Sequence, residues 1–155
     1  MPAPVTDLFS LKAVLPDLQA PGRDEALEEM VKAAVAAGVL PRTRRTQVLE
    51  ALVEREKRGS TGLGRGIAIP HAKIAGLRAH AGLVARSGAG LDFRAIDGER
   101  VHVLVMLISP DTRQEEHLAT LRWVSLMARD PDFVSFIRQA RTAEDIFEVL
   151  RERAG

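Results

Sequence analysis

Residues 101–108, VHVLVMLI, form the longest strongly apolar run in the chain. The run is far shorter than the roughly 20 apolar residues that a helix needs to cross a bilayer. A strand with one wet face carries a polar residue at every second position, and here only His102 interrupts the apolar character. The run therefore predicts a central strand covered on both faces. Whatever covers it must be sought in the amphipathic segments on either side.

Those segments read as helices. PGRDEALEEMVKAAVAAGVL opens with Pro-Gly and an acidic turn, and Leu27, Met30, Val31, Ala34 and Val35 recur at helical spacing up to a stop at Gly38. RTRRTQVLEALVEREKRG predicts a second helix with a stripe of Val48, Leu49, Leu52 and Val53, ended by Gly59. After the apolar run, EEHLATLRWVSLMARD places Leu118, Leu121, Val124 and Met127 on one predicted face. PDFVSFIRQA begins with a helix-starting proline. TAEDIFEVLRERA opens on Thr142 and Asp145 in a capping pattern, with Ile146, Val149 and Leu150 as its stripe. Two more strands are predicted, GIAIP at 66–70 and AGLVARS at 81–87, with GAGLDFRAIDGER as a loop or hairpin around Asp97-Gly98. The order is helix pair, strands, helices, which indicates an α/β domain with helices packed on a mixed sheet. The 155 residues fit one domain over 1–155.

Composition removes several function classes. A net charge of +1 gives no pull toward nucleic acid or a membrane surface. The chain has no cysteine, which excludes disulfides, thiolate nucleophiles and cysteine-based zinc sites. The start, MPAPVTDLFSLK, lacks a basic segment leading into a long apolar one, so no signal peptide is expected. A cytoplasmic protein without direct membrane insertion is the expectation.

The chemistry concentrates in TGLGRGIAIPHAK, residues 61–73. Its glycine spacing from Gly59 to Gly64 matches a nucleotide phosphate loop. Arg65 and Gly66, however, stand where Lys and Ser/Thr would touch phosphate and Mg²⁺. Such a loop also runs from strand to helix, the reverse of the order predicted here. Gly62-x-Gly64-x-Gly66 is not a dinucleotide fingerprint either. Two readings of the residues stay open. Glycines before a strand often serve a turn or bulge, and a lone histidine at a strand end is often structural. Alternatively, His71 is a nucleophile, because neutral imidazole offers a lone pair near pH 7 without a costly deprotonation. Pro70 would fix the backbone before it, and the glycines would leave room for close approach. A phosphoryl acceptor also needs positive charge, for which Arg55, Arg58, Arg65 and Lys73 are near in sequence. His117, at the start of a predicted helix, is the second candidate, since helix N-termini favour anions. Strand ends on one side of an α/β sheet gather into sites, which would let His71 and His117 meet. His71, His80, His102 and His117 match no compact metal motif, so His80 and His102 read as structural and no metal is expected.

STGLGRGIAIPHAK closely resembles the active-site segment of the enzyme IIA domains of the sugar phosphotransferase system, in the fructose, mannitol and nitrogen-regulatory class. VLEALVEREKRGSTGLG resembles that family's helix leading into the site, and GLDFRAIDGERVHVLVMLISP its later loop and strand. HLATLRWVSLMARD resembles the helix bearing its second histidine, and the likeness spans about residues 7–152. The resemblance implies a three-layer α/β/α fold with a mixed sheet. It implies that His71 accepts a phosphoryl group from a histidine phosphocarrier protein and passes it to a IIB domain, or holds it as a signal to a regulatory target protein. His117 would stabilise the phosphoryl group and Arg55 would add charge, with no cofactor. Because no IIB cysteine or transport segment is present, the resemblance leans toward the freestanding regulatory kind or a separately encoded sugar IIA. The DFRAIDG segment looks more fructose-like.

Overall fold

The computed structural model describes residues 8–154. The expectation about a leader rests largely on residues 1–7, outside the described residues. In chain order the helices are α1 (Arg23–Ala36), α2 (Arg45–Lys57), α3 (Gln114–Ala128), α4 (Pro131–Gln139) and α5 (Ala143–Ala154). The strands are β1 (Val14–Leu15), β2 (Gly62–Gly64), β3 (Ile67–Ala68), β4 (His71–Ile74), β5 (Ala81–Leu91) and β6 (Val101–Pro110).

The predicted central strand is the centre. β6 pairs antiparallel with β5 on one side and parallel with β3 and β4 on the other, in a mixed sheet of order β1-β5-β6-β3-β2. Its side chains alternate between two cores. Leu104, Met106 and Ile108 are buried with Leu27, Met30, Val48 and Leu52 of α1 and α2. Val103, Val105 and Leu107 are buried with Val124, Phe133, Ile137, Ile146 and Leu150 of α3, α4 and α5. Each such side chain contributes roughly 1.5–3 kcal/mol of transfer free energy, so both helical layers are held by one strand. The result is the three-layer α/β/α arrangement.

The helix ends obey local chemistry. Asp24 and Glu25 lie in the first turn of α1, where the helix dipole favours negative charge. Gly38 ends it at φ +77°, its N–H donating to Val35 O while Val39 N–H reaches back to Ala34 O, both at 3.0 Å. Asp130 caps α4 by accepting from Asp132 N–H, and Thr142 caps α5 by accepting from Asp145 N–H.

Three expectations are corrected. Among the described residues six strands form rather than three, because β1, β2 and β4 are two to four residues long and carry no readable period. The strand read at 81–87 runs on to Leu91. The buried face of α3 is also displaced by one residue. His117, Thr120, Val124 and Met127 face inward, while Leu118 is 42% exposed and Leu121 is half-buried. Polar side chains occupy the inward face at the start of this helix, and leucines are turned out.

Candidate functional site

The site is built on the line of β3 and β4. Ile67 and Ala68 pair with Val103 and Leu104, and His71 and Ala72 pair with Leu107 and Ile108. The register is unbroken, so β3 and β4 are one strand line interrupted at Ile69-Pro70. Pro70 has no N–H to offer a ladder, yet its carbonyl accepts Leu107 N–H at 3.0 Å. Ile69 N–H turns aside to Thr61 O at 3.1 Å. His71 therefore opens a strand instead of ending one, contrary to the sequence reading. Side chains alternate along it, which puts half-buried His71 and exposed Lys73 on one face and buried Ala72 on the other.

His117 is the fourth residue of α3, which starts just beyond the end of β6. Its side chain is buried, at 2% exposure, and its N–H is spent inside the helix on Arg113 O at 3.1 Å. The imidazole, not a free helix amide, is what it presents. The rings of His71 and His117 lie 5.7 Å apart between centroids, inclined by 48°. The two histidines read from sequence do meet.

Hydrogen bonding fixes the proton on His71. Nδ1 stands 2.7 Å from Ile69 O, and a carbonyl only accepts, so Nδ1 carries the hydrogen. In the neutral ring Nε2 is then a bare lone pair. Burial, and after it the charges of Arg55, Arg58 and Lys73, hold the ring's proton affinity below the ordinary histidine value, against the pull of Ile69 O. His117 is pushed down to about 4, first by burial and then by His71, Lys73 and His80. Both rings are neutral at pH 7, in a setting whose charges are positive.

Of the four cations named from sequence, Arg55, Arg58 and Lys73 act on His71. Arg65 instead directs its guanidinium to Arg129 O, at the end of α3, at 3.5 Å. Arg55 also donates from Nη1 to Gly59 O at 2.8 Å, tying the end of α2 to the glycine loop. Beside it, buried Glu56 accepts Thr61 N–H at 2.9 Å and the Thr61 hydroxyl. The loop then forms a hairpin of β2 and β3 with Arg65 and Gly66 at φ +60° and +85°, the signature of a type I′ turn. Asp97 pins that turn by accepting Arg65 N–H at 2.9 Å, which holds its carboxyl below the usual range. A Cβ on Gly62 would stand 2.8 Å from Ala95 Cβ. These glycines serve a turn and a close packing contact.

Three further residues border the site. Ser109 Oγ lies 2.7 Å from His117 Nδ1 and 2.8 Å from His80 Nδ1, and His80 Nε2 donates to Glu116 at 2.8 Å. Ser109 is a lone hydroxyl closing an apolar strand, a signal that the sequence offered; the partnership of His80 and Glu116, 36 residues apart, offered none. His102, half-buried within β6, bonds Ser87 O through Nδ1 and accepts from Arg138 through Nε2. What the arrangement offers chemically is a nucleophilic nitrogen with a neutral imidazole beside it and cations around it, a setting for an anionic electrophile.

The same chain matches a family model described as phosphoenolpyruvate-dependent sugar phosphotransferase system, EIIA 2, over residues 7–153. The chain belongs to this family. A nitrogen regulatory protein of Bradyrhizobium diazoefficiens is 37% identical over 147 residues, covering 95% of this chain and 94% of that protein. A fructose-specific EIIA component of Haloferax volcanii is 33% identical, covering 96% and 97%. The crystal structure of the nitrogen regulatory protein IIA-Ntr from Neisseria meningitidis superposes with a TM-score of 0.85 at 27% identity, over 94% of this chain and 98% of that one. The EIIA fold read from sequence is thereby shown. Among the described residues no helix is long and apolar enough to cross a membrane.

Proposed function

We propose that this EIIA protein is a phosphocarrier whose His71 Nε2 accepts a phosphoryl group from a histidine phosphocarrier protein and passes it to a IIB domain, on a fructose-like route. The observation that carries the reading is the hydrogen bond from His71 Nδ1 to Ile69 O, which leaves Nε2 as the nucleophile. In the forward step Nε2 attacks phosphorus in line, the N–P bond forms, and the donor histidine's N–P bond breaks. The electron pair of that bond returns to the donor ring. No general base is required, because the lone pair is already present at pH 7. Arg55, Arg58 and Lys73 offset the charge on the equatorial oxygens, and His117 binds them from the facing ring. A loose transition state asks the protein mainly for positioning and electrostatics. The cytoplasmic setting belongs to the same reading.

In this reading the docking face is formed by exposed leucines of the glycine hairpin and of the helix that carries His117. Leu63 on β2 is 46% exposed, and Leu118 and Leu126 on α3 are 42% and 63% exposed. Two shallow surface depressions sharing Ser125 and Arg129 join Leu63 to the α3 leucines, with Arg65 and Arg122 at the rim. Apolar side chains ringed by arginine suit a small, transient interface of about 1,200 Å² or less with a partner that is acidic at its edge.

A second reading is favoured by one observation: the relative matching at 37% identity is a nitrogen regulatory protein. In that reading the phosphorylation state of His71 controls binding to a target protein. Incubation with enzyme I, phosphocarrier and phosphoenolpyruvate, followed by intact-mass measurement and transfer to candidate IIB domains, tests both. A gain of one phosphoryl group that moves on to a IIB domain supports transport. A gain that stays and changes affinity for a regulatory target supports the second reading. Absence of any gain refutes both.

A further inference from the structure

The polar groups behind His117 form an unbroken line to the surface. His117 and Ser109 are buried, the His80 side chain is 13% exposed, and Glu116 is exposed. The links are His117 Nδ1 to Ser109 Oγ at 2.7 Å, Ser109 Oγ to His80 Nδ1 at 2.8 Å, and His80 Nε2 to Glu116 at 2.8 Å. The hydrogen inventory of this line is limited. The Glu116 carboxyl is held below its usual range, chiefly by the bond from His80, so it accepts and His80 Nε2 carries a hydrogen. Ser109 has one hydrogen to place between two imidazole nitrogens.

With His117 neutral, two arrangements satisfy every link. With His80 neutral, its Nδ1 accepts the Ser109 hydroxyl, Ser109 accepts from His117 Nδ1–H, and His117 Nε2 is bare. With His80 cationic, its Nδ1–H donates to Ser109, the hydroxyl turns to His117 Nδ1, and the hydrogen of His117 resides on Nε2. Among the described residues no protein group hydrogen-bonds His117 Nε2. Only the second arrangement lets a neutral His117 donate to an anion.

We propose that Glu116, His80 and Ser109 form a proton relay that lets His117 present an Nε2–H while the accompanying positive charge rests on His80. The step balances. A proton from solvent binds His117 Nε2, the Nδ1 proton passes to Ser109 Oγ, and the hydroxyl proton passes to His80 Nδ1. Three N–H or O–H bonds form and three break, counting the one in the acid that supplied the proton. One positive charge appears, on His80.

The charge is better placed there. On His117 it would be buried beside His71 and Lys73, the surroundings that push this ring down to about 4. On His80 it lies against the Glu116 carboxylate. Arg113, whose Nη1 is 3.9 Å from the same carboxylate oxygen, weakens that pairing in part, while Lys73 and His71 face the relay from β4 through His117. His80 and Ser109 are thus positioning residues, acting through His117. The functional consequence, a donor aimed at a phosphoryl group on His71, rests on the phosphocarrier reading.

The test uses the full chain with ¹⁵N-labelled histidine, followed by long-range ¹H–¹⁵N correlation from about pH 8 to about pH 5, across the histidine range. His117 is expected to stay neutral and pass from the Nδ1–H to the Nε2–H tautomer at the same midpoint at which His80 becomes imidazolium. Glu116→Gln, which replaces the carboxylate facing His80 Nε2 with a neutral amide, reduces the share of His117 in the Nε2–H tautomer at a given pH. Ser109→Ala uncouples the two, so His80 titrates while the His117 tautomer no longer follows, and Ser109→Thr restores the coupling. The proposal is overturned if His117 itself becomes imidazolium with His80, or keeps one tautomer while His80 titrates. Glu116→Gln is a surface change, so it remains informative should Ser109→Ala fail to fold. The spectra need no phosphoryl donor, so their failure is separate from a failure of His71 to take up label.

Discussion

The burial of His117 has a consequence for stability that His117→Gln isolates. In the unfolded chain this ring takes a proton near 6.5, and in the native protein only at about 4. Between those values the unfolded state binds more protons, so stability falls as pH drops through 6.5 toward 4 and is unaffected above that window. At about pH 5 the linkage amounts to about 2 kcal/mol, from 1.36 kcal/mol per pH unit applied across the part of the window already crossed. That is a sizeable share of the 5–15 kcal/mol typical of a domain. Glutamine keeps an amide able to face Ser109 but does not titrate. Its pH-independent cost cancels when each protein is compared with itself. Urea unfolding of both proteins at about pH 7.5 and about pH 5 gives the four stabilities needed. The wild type should lose about 2 kcal/mol more than His117→Gln on acidification. Equal losses would show that His117 is freely protonated in the native state, and the neutral-ring account of the site would fail.

Glu56→Ala removes the acceptor of Thr61 N–H and of the Thr61 hydroxyl from a buried position. It should lower stability in urea by about 1–3 kcal/mol and slow phosphoryl uptake through a loosened loop. Unchanged uptake would separate the loop from the chemistry. Leu104→Ala, in the middle of β6, should destabilise by about 2–5 kcal/mol, read from the shift in urea midpoint. Leu126→Asp, on the 63% exposed turn of α3, should leave stability within about 0.5 kcal/mol. It should raise the donor concentration needed for half-maximal phosphorylation rate, and an unaltered concentration would remove α3 from the docking face.

The fold was legible where the chemistry is periodic. The almost wholly apolar character of residues 101–108 required cover on both sides, and the flanking stripes supplied it. The helix signals at Gly38, Pro131 and Thr142 were legible because each rests on one residue's local chemistry, while the cap by Asp130 was not read. What escaped was decided by tertiary packing. β4 is set by pairing with β6 across a proline break, which no window of sequence contains. The face of α3 is chosen by what lies beneath it, so His117 and Thr120 turn inward and Leu118 outward, against the hydrophobic pattern. His71 and His117 were nameable one at a time, but their meeting was only an expectation from strand ends, and His71 in fact opens a strand. The line from His117 to Glu116 was not, because its members come from β6, α3 and the segment before β5.

The central claim is that His71 Nε2 is the phosphoryl acceptor, and the phosphorylated protein reports the attachment atom directly. Labelling with enzyme I, phosphocarrier and phosphoenolpyruvate, followed by ³¹P and long-range ¹H–¹⁵N spectra, should show a single phosphohistidine at His71 with phosphorus on Nε2 and hydrogen retained on Nδ1. His71→Ala should take up no label, and His117→Ala should take it up more slowly. Phosphorus on Nδ1 of His71, or label on another histidine in His71→Ala, would contradict the account.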